Sequence, residues 1–269
     1  MDTNQEQMKT ALTDAYSSNL FEGLSERLLN DTIPFLMQKS TIAQVEVLKY
    51  AKQENFFEGL TDDFLAGMIQ YLGTVSTPER TRVLVKANKL GLFSGLSNRH
   101  IVDLVITFNE NFNQEKVESI LSAKNEGLYS NLQDNDLLLS IKGHIIHSNA
   151  ENIRVLTIAQ KVNFFDKIGG AEKFNLLLSL GEHSTPEIIN ALVDAKREGL
   201  FDAIPQNYFV VMIATLGRTS TAEKIKALAY VNAKGLFKHN SLEGKALVDT
   251  IVKMGMQKSP QEIYAYVKE

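Results

Sequence analysis

The chain has no cysteine and no tryptophan. The first absence excludes disulfides and thiolate metal ligands and fits a reducing compartment. Five prolines and 16 glycines among 269 residues leave no room for a long Pro- or Gly-rich linker. No run approaches the roughly 18 apolar residues that a membrane helix needs. The opening MDTNQEQMKT is polar, without an apolar signal core, so a cytoplasmic protein that makes no membrane contact is expected. A basic excess is missing too. The net charge is −4 and the isoelectric point about 5.8, which is not the electrostatic profile of a nucleic-acid binder.

Catalytic signatures are equally scarce. Gly169-Gly170 is not followed by the Lys-Ser or Lys-Thr of a phosphate loop. There is no G-x-S-x-G and no H-E-x-x-H. Neither an enzyme nor a cofactor or metal is expected.

What is present is a repeat. One phrase recurs every 36 residues: Ala15 with Leu20-Phe21, Ala51 with Phe56-Phe57, Ala87 with Leu92-Phe93, and Ala123 with Leu128-Tyr129. It continues through Ala159 with Phe164-Phe165, Ala195 with Leu200-Phe201, and Val231 with Leu236-Phe237. A second phrase keeps the period: Ser76-Thr77-Pro78-Glu79, Ser148-Asn149-Ala150-Glu151, Ser184-Thr185-Pro186-Glu187 and Ser220-Thr221-Ala222-Glu223. Units then start near 4, 40, 76, 112, 148, 184 and 220, with a closing helix over 259–269.

Each unit reads as helix, tight turn, helix. Ser followed by Glu three residues later predicts a capping box with Ser as the cap, and proline fits the first helical turn. The first helix stops at Asn19, Asn55, Gly91, Gly127, Asn163, Gly199 and Gly235. Only Asn and Gly hold that slot, as a left-handed residue after a helix requires. Ser25, Thr61, Ser97, Pro205 and Ser241 open second helices, and Asp62, Asp63, Asp134 and Asp136 suit the positive end of their dipoles. One unit cannot bury its own apolar face, so the units must stack. The expected fold is all-α: one domain over 1–269, an α-solenoid of seven 36-residue helix-turn-helix repeats with a C-terminal capping helix.

The Ser-Thr-Pro-Glu opening resembles the start of transcription-activator-like repeats, and the Leu-Gly close of second helices (Leu72-Gly73, Leu180-Gly181, Leu216-Gly217) resembles octotricopeptide repeats. The resemblance implies a two-helix-repeat α-solenoid and, for the second family, single-stranded RNA. The Gly-Gly turn with its base-reading pair is absent; Lys-Arg-Glu-Gly stands there at 196–199.

Three features depart from plain repetition. His144 and His147 form an H-x-x-H, and His183 follows one repeat after His147; repeat spacing holds such residues too far apart to share a metal. His144 takes the slot of Leu72, Phe108, Leu180 and Leu216, and so reads as a satisfied core histidine. The junctions at 109–113 and 142–147 break the pattern, Phe112 standing where Ser is expected. Finally, a polar stripe runs through the last turn of the first helices: Tyr16, Lys52, Asn88, Lys124, Gln160, Lys196 and Asn232. The next slot adds Gln53, Lys89, Asn125, Lys161 and Arg197. These side chains either cover the helix C-terminus or form a donor ladder for an acidic or carbonyl-rich ligand. The candidate ligand-binding set is Lys52, Asn88, Lys89, Lys124, Gln160, Lys161, Lys196, Arg197 and Asn232. The expected function is a non-catalytic scaffold for a protein or peptide partner, with single-stranded RNA binding as the alternative.

Overall fold

A computed structural model describes residues 3–166, 168–239 and 243–267. Among them there are 16 helical segments and no strand. First helices of the repeats are α1 (Thr3–Ser17), α3 (Ile42–Gln53), α5 (Pro78–Lys89), α7 (Gln114–Asn125), α9 (Ala150–Lys161), α11 (Pro186–Arg197) and α13 (Ala222–Ala233). Second helices are α2 (Glu26–Lys39), α4 (Asp62–Thr74), α6 (Asn98–Glu110), α8 (Asp134–His147), α10 (Gly170–His183), α12 (Gln206–Thr219) and α15 (Gly244–Gln257). A short α14 (Leu236–His239) follows α13, and α16 (Pro260–Ala265) closes the series. From Ile42 to Ala222 the first helices start 36 residues apart. The last second helix starts two residues later than the series beginning at Glu26 requires, and Ser241, expected to open it, lies outside the described residues. Among the described residues no helix is long and apolar enough to cross a membrane.

The chain divides into two compact units, Met1–Leu121 and Ser122–Glu269, with the boundary inside α7. In the first unit, α1 packs on α3 and α3 on α5, while α2 packs on α4 and α4 on α6. In the second, α9, α11, α13 and α16 form one row and α8, α10, α12 and α15 the other. Each unit is thus stacked as an α-solenoid, each helix meeting its counterpart in the next repeat.

The turn between the helices explains the recurring phrase. Asn19, Asn55, Gly91, Gly127, Asn163, Gly199 and Gly235 all have positive φ, between 57° and 89°. At Gly199 the turn is a Schellman motif: Leu200 N–H donates to Ala195 O at 2.9 Å and Gly199 N–H to Lys196 O at 3.1 Å. The same pair of bonds forms at Asn19, Asn55, Gly91, Gly127 and Asn163. The reversal drives the next two residues inward, and Leu200 and Phe201 are buried. Each such side chain contributes roughly 1.5–3 kcal/mol on burial. The alanine facing this turn, Ala195, is also buried, and no larger group is needed where the turn closes over it.

The start of the first helix differs from the expected capping box. The cap is the residue after the serine. Thr77, Thr185 and Thr221 accept from the N–H groups of Arg80, Ile188 and Lys224, and Asn149 from that of Asn152. Reciprocal boxes form at Thr41 with Gln44 and at Ser259 with Glu262. The preceding serine is instead buried, and it bonds to the second helix of its own repeat. Ser184 Oγ donates to Gly217 O at 2.9 Å, and Ser220 Oγ to Gly255 O at 3.1 Å. A Cβ on Gly217 would lie 2.6 Å from both Leu180 Cδ2 and Ser184 Oγ. The Leu-Gly close of the second helix therefore marks close approach. The irregular junction at 109 follows from the same contact. Asn109 occupies the slot of Gly73, and its Oδ1 accepts from Ser76 Oγ at 2.6 Å.

Candidate functional site

The polar stripe lies at the helix ends that form the turns, and Lys52, Lys196 and Asn232 reach back to the preceding repeat. Lys196 Nζ donates to Asn163 O at 3.0 Å and Phe164 O at 2.7 Å, the carbonyls of the preceding turn. Its ammonium also stands over the rings of Phe164 and Phe209, 5.3 and 5.5 Å from their centroids. Asn232 Nδ2 donates to Gly199 O at 3.1 Å, again one turn back. Gln160 Oε1 accepts from Lys173 Nζ at 2.9 Å. Lys52 Nζ lies 3.5 Å from Glu22 of the preceding repeat. Lys124 and Asn88 are half-buried; burial pushes the Lys124 ammonium pKa down to about 8.

The neighbouring slot behaves alike. Lys89 pairs with Glu54. Lys161 pairs with Glu126 at 2.7 Å, and that pairing together with Ser122 holds the Glu126 carboxyl below its usual range. Arg197 faces Asp194 of its own helix at 3.4 Å. A donor reaching back to the previous turn is thus a recurring device. From Lys196 and Asn232 it satisfies carbonyls that a left-handed turn leaves outside the helix, and from Lys52, Lys89 and Lys161 it meets a glutamate.

A matching device at the other end of the first helix escaped the sequence reading. The third helical residue reaches forward to the next junction: Gln44 to Ser76 O at 2.9 Å, Arg80 to Asn109 O at 2.9 Å, Asn152 to Ser184 O at 2.9 Å and Lys224 to Met256 O at 3.2 Å. Its signal was legible. A nitrogen donor recurs at 44, 80, 116, 152 and 224, with Ile188 the exception.

The histidine expected in the core is there. His144 is fully buried, with Tyr129 Oη 2.8 Å from its Nδ1 and Leu177 O 3.4 Å from its Nε2. Desolvation lowers its pKa to about 4, so the ring is neutral. Nδ1 then accepts from Tyr129, and Nε2–H points at the Leu177 carbonyl. His147 and His183 are exposed.

In the second unit the stripe meets open space. A cleft of about 520 Å³ is floored by Phe164, Phe201 and Phe209, with Lys196, Arg197 and Asp202 around it. A second cleft of about 460 Å³ adjoins it, shares Asp202 and is lined by Asn232 and Phe237. Of the nine sequence-predicted residues, Lys196, Arg197 and Asn232 therefore border these two clefts. Among the described residues no group of three or more His, Asp or Glu side chains converges as a metal site would require. Comparison of the chain with protein-family models, curated proteins and solved structures gives no match.

Proposed function

We propose that this chain is a non-catalytic helical-repeat scaffold that binds a protein or peptide partner at the turn edge of its repeats. Its repeat is akin, at the level of pattern, to the octotricopeptide and activator-like kinds. The observation that carries the reading is the pair of adjoining clefts in the second unit, set at equivalent turns of successive repeats. Their mixture of aromatic floor and charged rim is the composition of a surface that holds side chains in sequence. Single-stranded RNA fits less well. Two stripe cations, Lys89 and Lys161, are neutralised by Glu54 and Glu126, whereas an RNA groove needs uncompensated positive charge and exposed stacking rings.

The test is selection from a displayed random-peptide library on the immobilised protein. A variant with Phe209→Ala and Arg197→Asp serves for counter-selection. Enrichment of a sequence family that the variant fails to retain is the expected result. Failure of any peptide to enrich, together with steeply salt-dependent binding of an oligouridine, would transfer the assignment to RNA.

A further inference from the structure

A buried lysine stands one repeat before the open cleft. Phe209 belongs to the floor of the larger cleft, and Lys173 holds the equivalent position one repeat earlier. Lys173 is only 5% exposed. Its Nζ donates to Gln160 Oε1 at 2.9 Å and approaches Ser130 O at 3.4 Å, 5.9 Å from the centroid of the Phe165 ring. In that repeat the protein places its own ammonium among turn oxygens and against an aromatic face. The next repeat does the same in part with Lys196, over Phe164 and Phe209, and leaves the cleft beside it open.

Charge decides what the open part would accept. Four carboxylates border the two adjoining clefts: Asp166, Glu198, Asp202 and Glu243. Two cations border them, and both face the protein itself: Lys196 toward the carbonyls of Asn163 and Phe164, Arg197 toward Asp194. Among the described residues, no cation forms an ion pair with any of the four carboxylates. Lys173 acts on Asp166, and Lys196 keeps its positive charge beside the carbonyls, so the double cleft carries a net negative charge, set by Glu198, Asp202 and Glu243, over phenylalanine rings. That is the inverse of the donor ladder expected from the stripe alone.

We propose that the double cleft, within the scaffold reading on which this inference rests, binds a linear basic peptide. Its Arg or Lys heads pair with Asp202 and Glu198, and their stems or apolar neighbours cover Phe209 and Phe237. Cations over aromatic faces and beside carboxylates are mutually reinforcing. Lys196, over Phe164 and Phe209, shows that this lining tolerates an ammonium. Stacked helices advance about 8–10 Å per repeat, and an extended peptide about 3.3–3.6 Å per residue. Basic residues three positions apart thus meet successive repeats.

The probe is a fluorescein-labelled peptide of four Arg-Ala-Leu triplets, read by anisotropy beside its Glu-Ala-Leu counterpart. The proteins are the wild type, Glu198→Gln with Asp202→Asn, and a control with Glu151→Gln and Glu182→Gln; melting curves establish that all three fold. The wild type should bind the arginine peptide, more weakly as salt rises. The cleft variant should lose about tenfold, the order expected for two exposed charge pairs, and the control less than twofold. No binding of the arginine peptide, equal loss in the control, or tighter binding of the glutamate peptide would overturn the proposal. If the library enriches neutral or acidic peptides while the arginine peptide fails, this inference falls and the scaffold reading stands. If only the oligouridine binds, both fall.

Discussion

Tyr129 and His144 form a polar pair where the other repeats place Phe and, mostly, Leu: Phe93 and Phe165 correspond to Tyr129, Leu72 and Leu180 to His144. The pair makes a sharp prediction about stability and pH. Burial holds His144 neutral, moving its pKa from 6.5 to about 4. A group whose folded pKa is depressed in this way binds protons more readily when unfolded. For a histidine the stabilisation is therefore complete above about pH 6.5 and is lost as pH falls from there toward 4. At about 1.36 kcal/mol per unit, the whole effect is roughly 3 kcal/mol, and about 2 kcal/mol of it is lost by pH 5. Replacing both residues by their counterparts, Tyr129→Phe with His144→Leu, removes the titrating group and its partner together, so the protein at pH 7.5 should be little changed. His144→Leu alone leaves the Tyr129 hydroxyl buried without its acceptor and should cost about 1–3 kcal/mol. Urea unfolding by circular dichroism at pH 7.5 and 5 measures these differences, and carboxylates elsewhere cancel between proteins. The wild type should lose about 2 kcal/mol more than the double variant across that interval. Equal losses in the two proteins would refute the argument.

Gly199→Val should destabilise markedly, by about 1–3 kcal/mol, because a β-branched residue is strained at φ +78°. Gly199→Asn should be mild, since Asn takes the same conformation at 19, 55 and 163; thermal melts compare the two. Gly217→Ala should cost about 1–3 kcal/mol by forcing apart Leu180 and Ser184. Lys196→Gln should lower the melting temperature, because the shorter amide loses the ammonium bonds to the Asn163 and Phe164 carbonyls. An unchanged melt there would mean that those bonds contribute nothing net.

The fold was legible because its elements depend on local grammar repeated many times. A left-handed stop admits only Gly or Asn, and seven such stops at one spacing leave little else to form. The cap was misplaced by one residue for a reason local grammar cannot supply. Ser76 and Thr77 are both competent caps, and the choice is made by Asn109, which holds Ser76 from the second helix of the same repeat. The stripe was visible as a sequence anomaly, but its partners were not. That Lys196 faces carbonyls 32 and 33 residues away is a property of stacking. The clefts were invisible for a related reason. Phe164, Lys196 and Phe209 come to line one cavity only after the turns of successive repeats are folded.

The contact between Ser184 and Gly217 has a consequence for how such a chain can be recombined. Ser184 opens the repeat that Gly217 closes, so a 36-residue segment cut just ahead of its serine carries both halves of that fit with it. What the cut leaves behind is the glycine's other neighbour: Leu180 of the preceding second helix, whose Cδ2 stands 2.6 Å from the Cβ that Gly217 lacks. Leu36 stands in the same way to Gly73, at 2.6 Å, and Leu216 to Gly255, at 2.7 Å. A transplanted repeat therefore brings its own hydrogen bond and borrows a leucine, and its admissible upstream neighbours are those whose second helix supplies one.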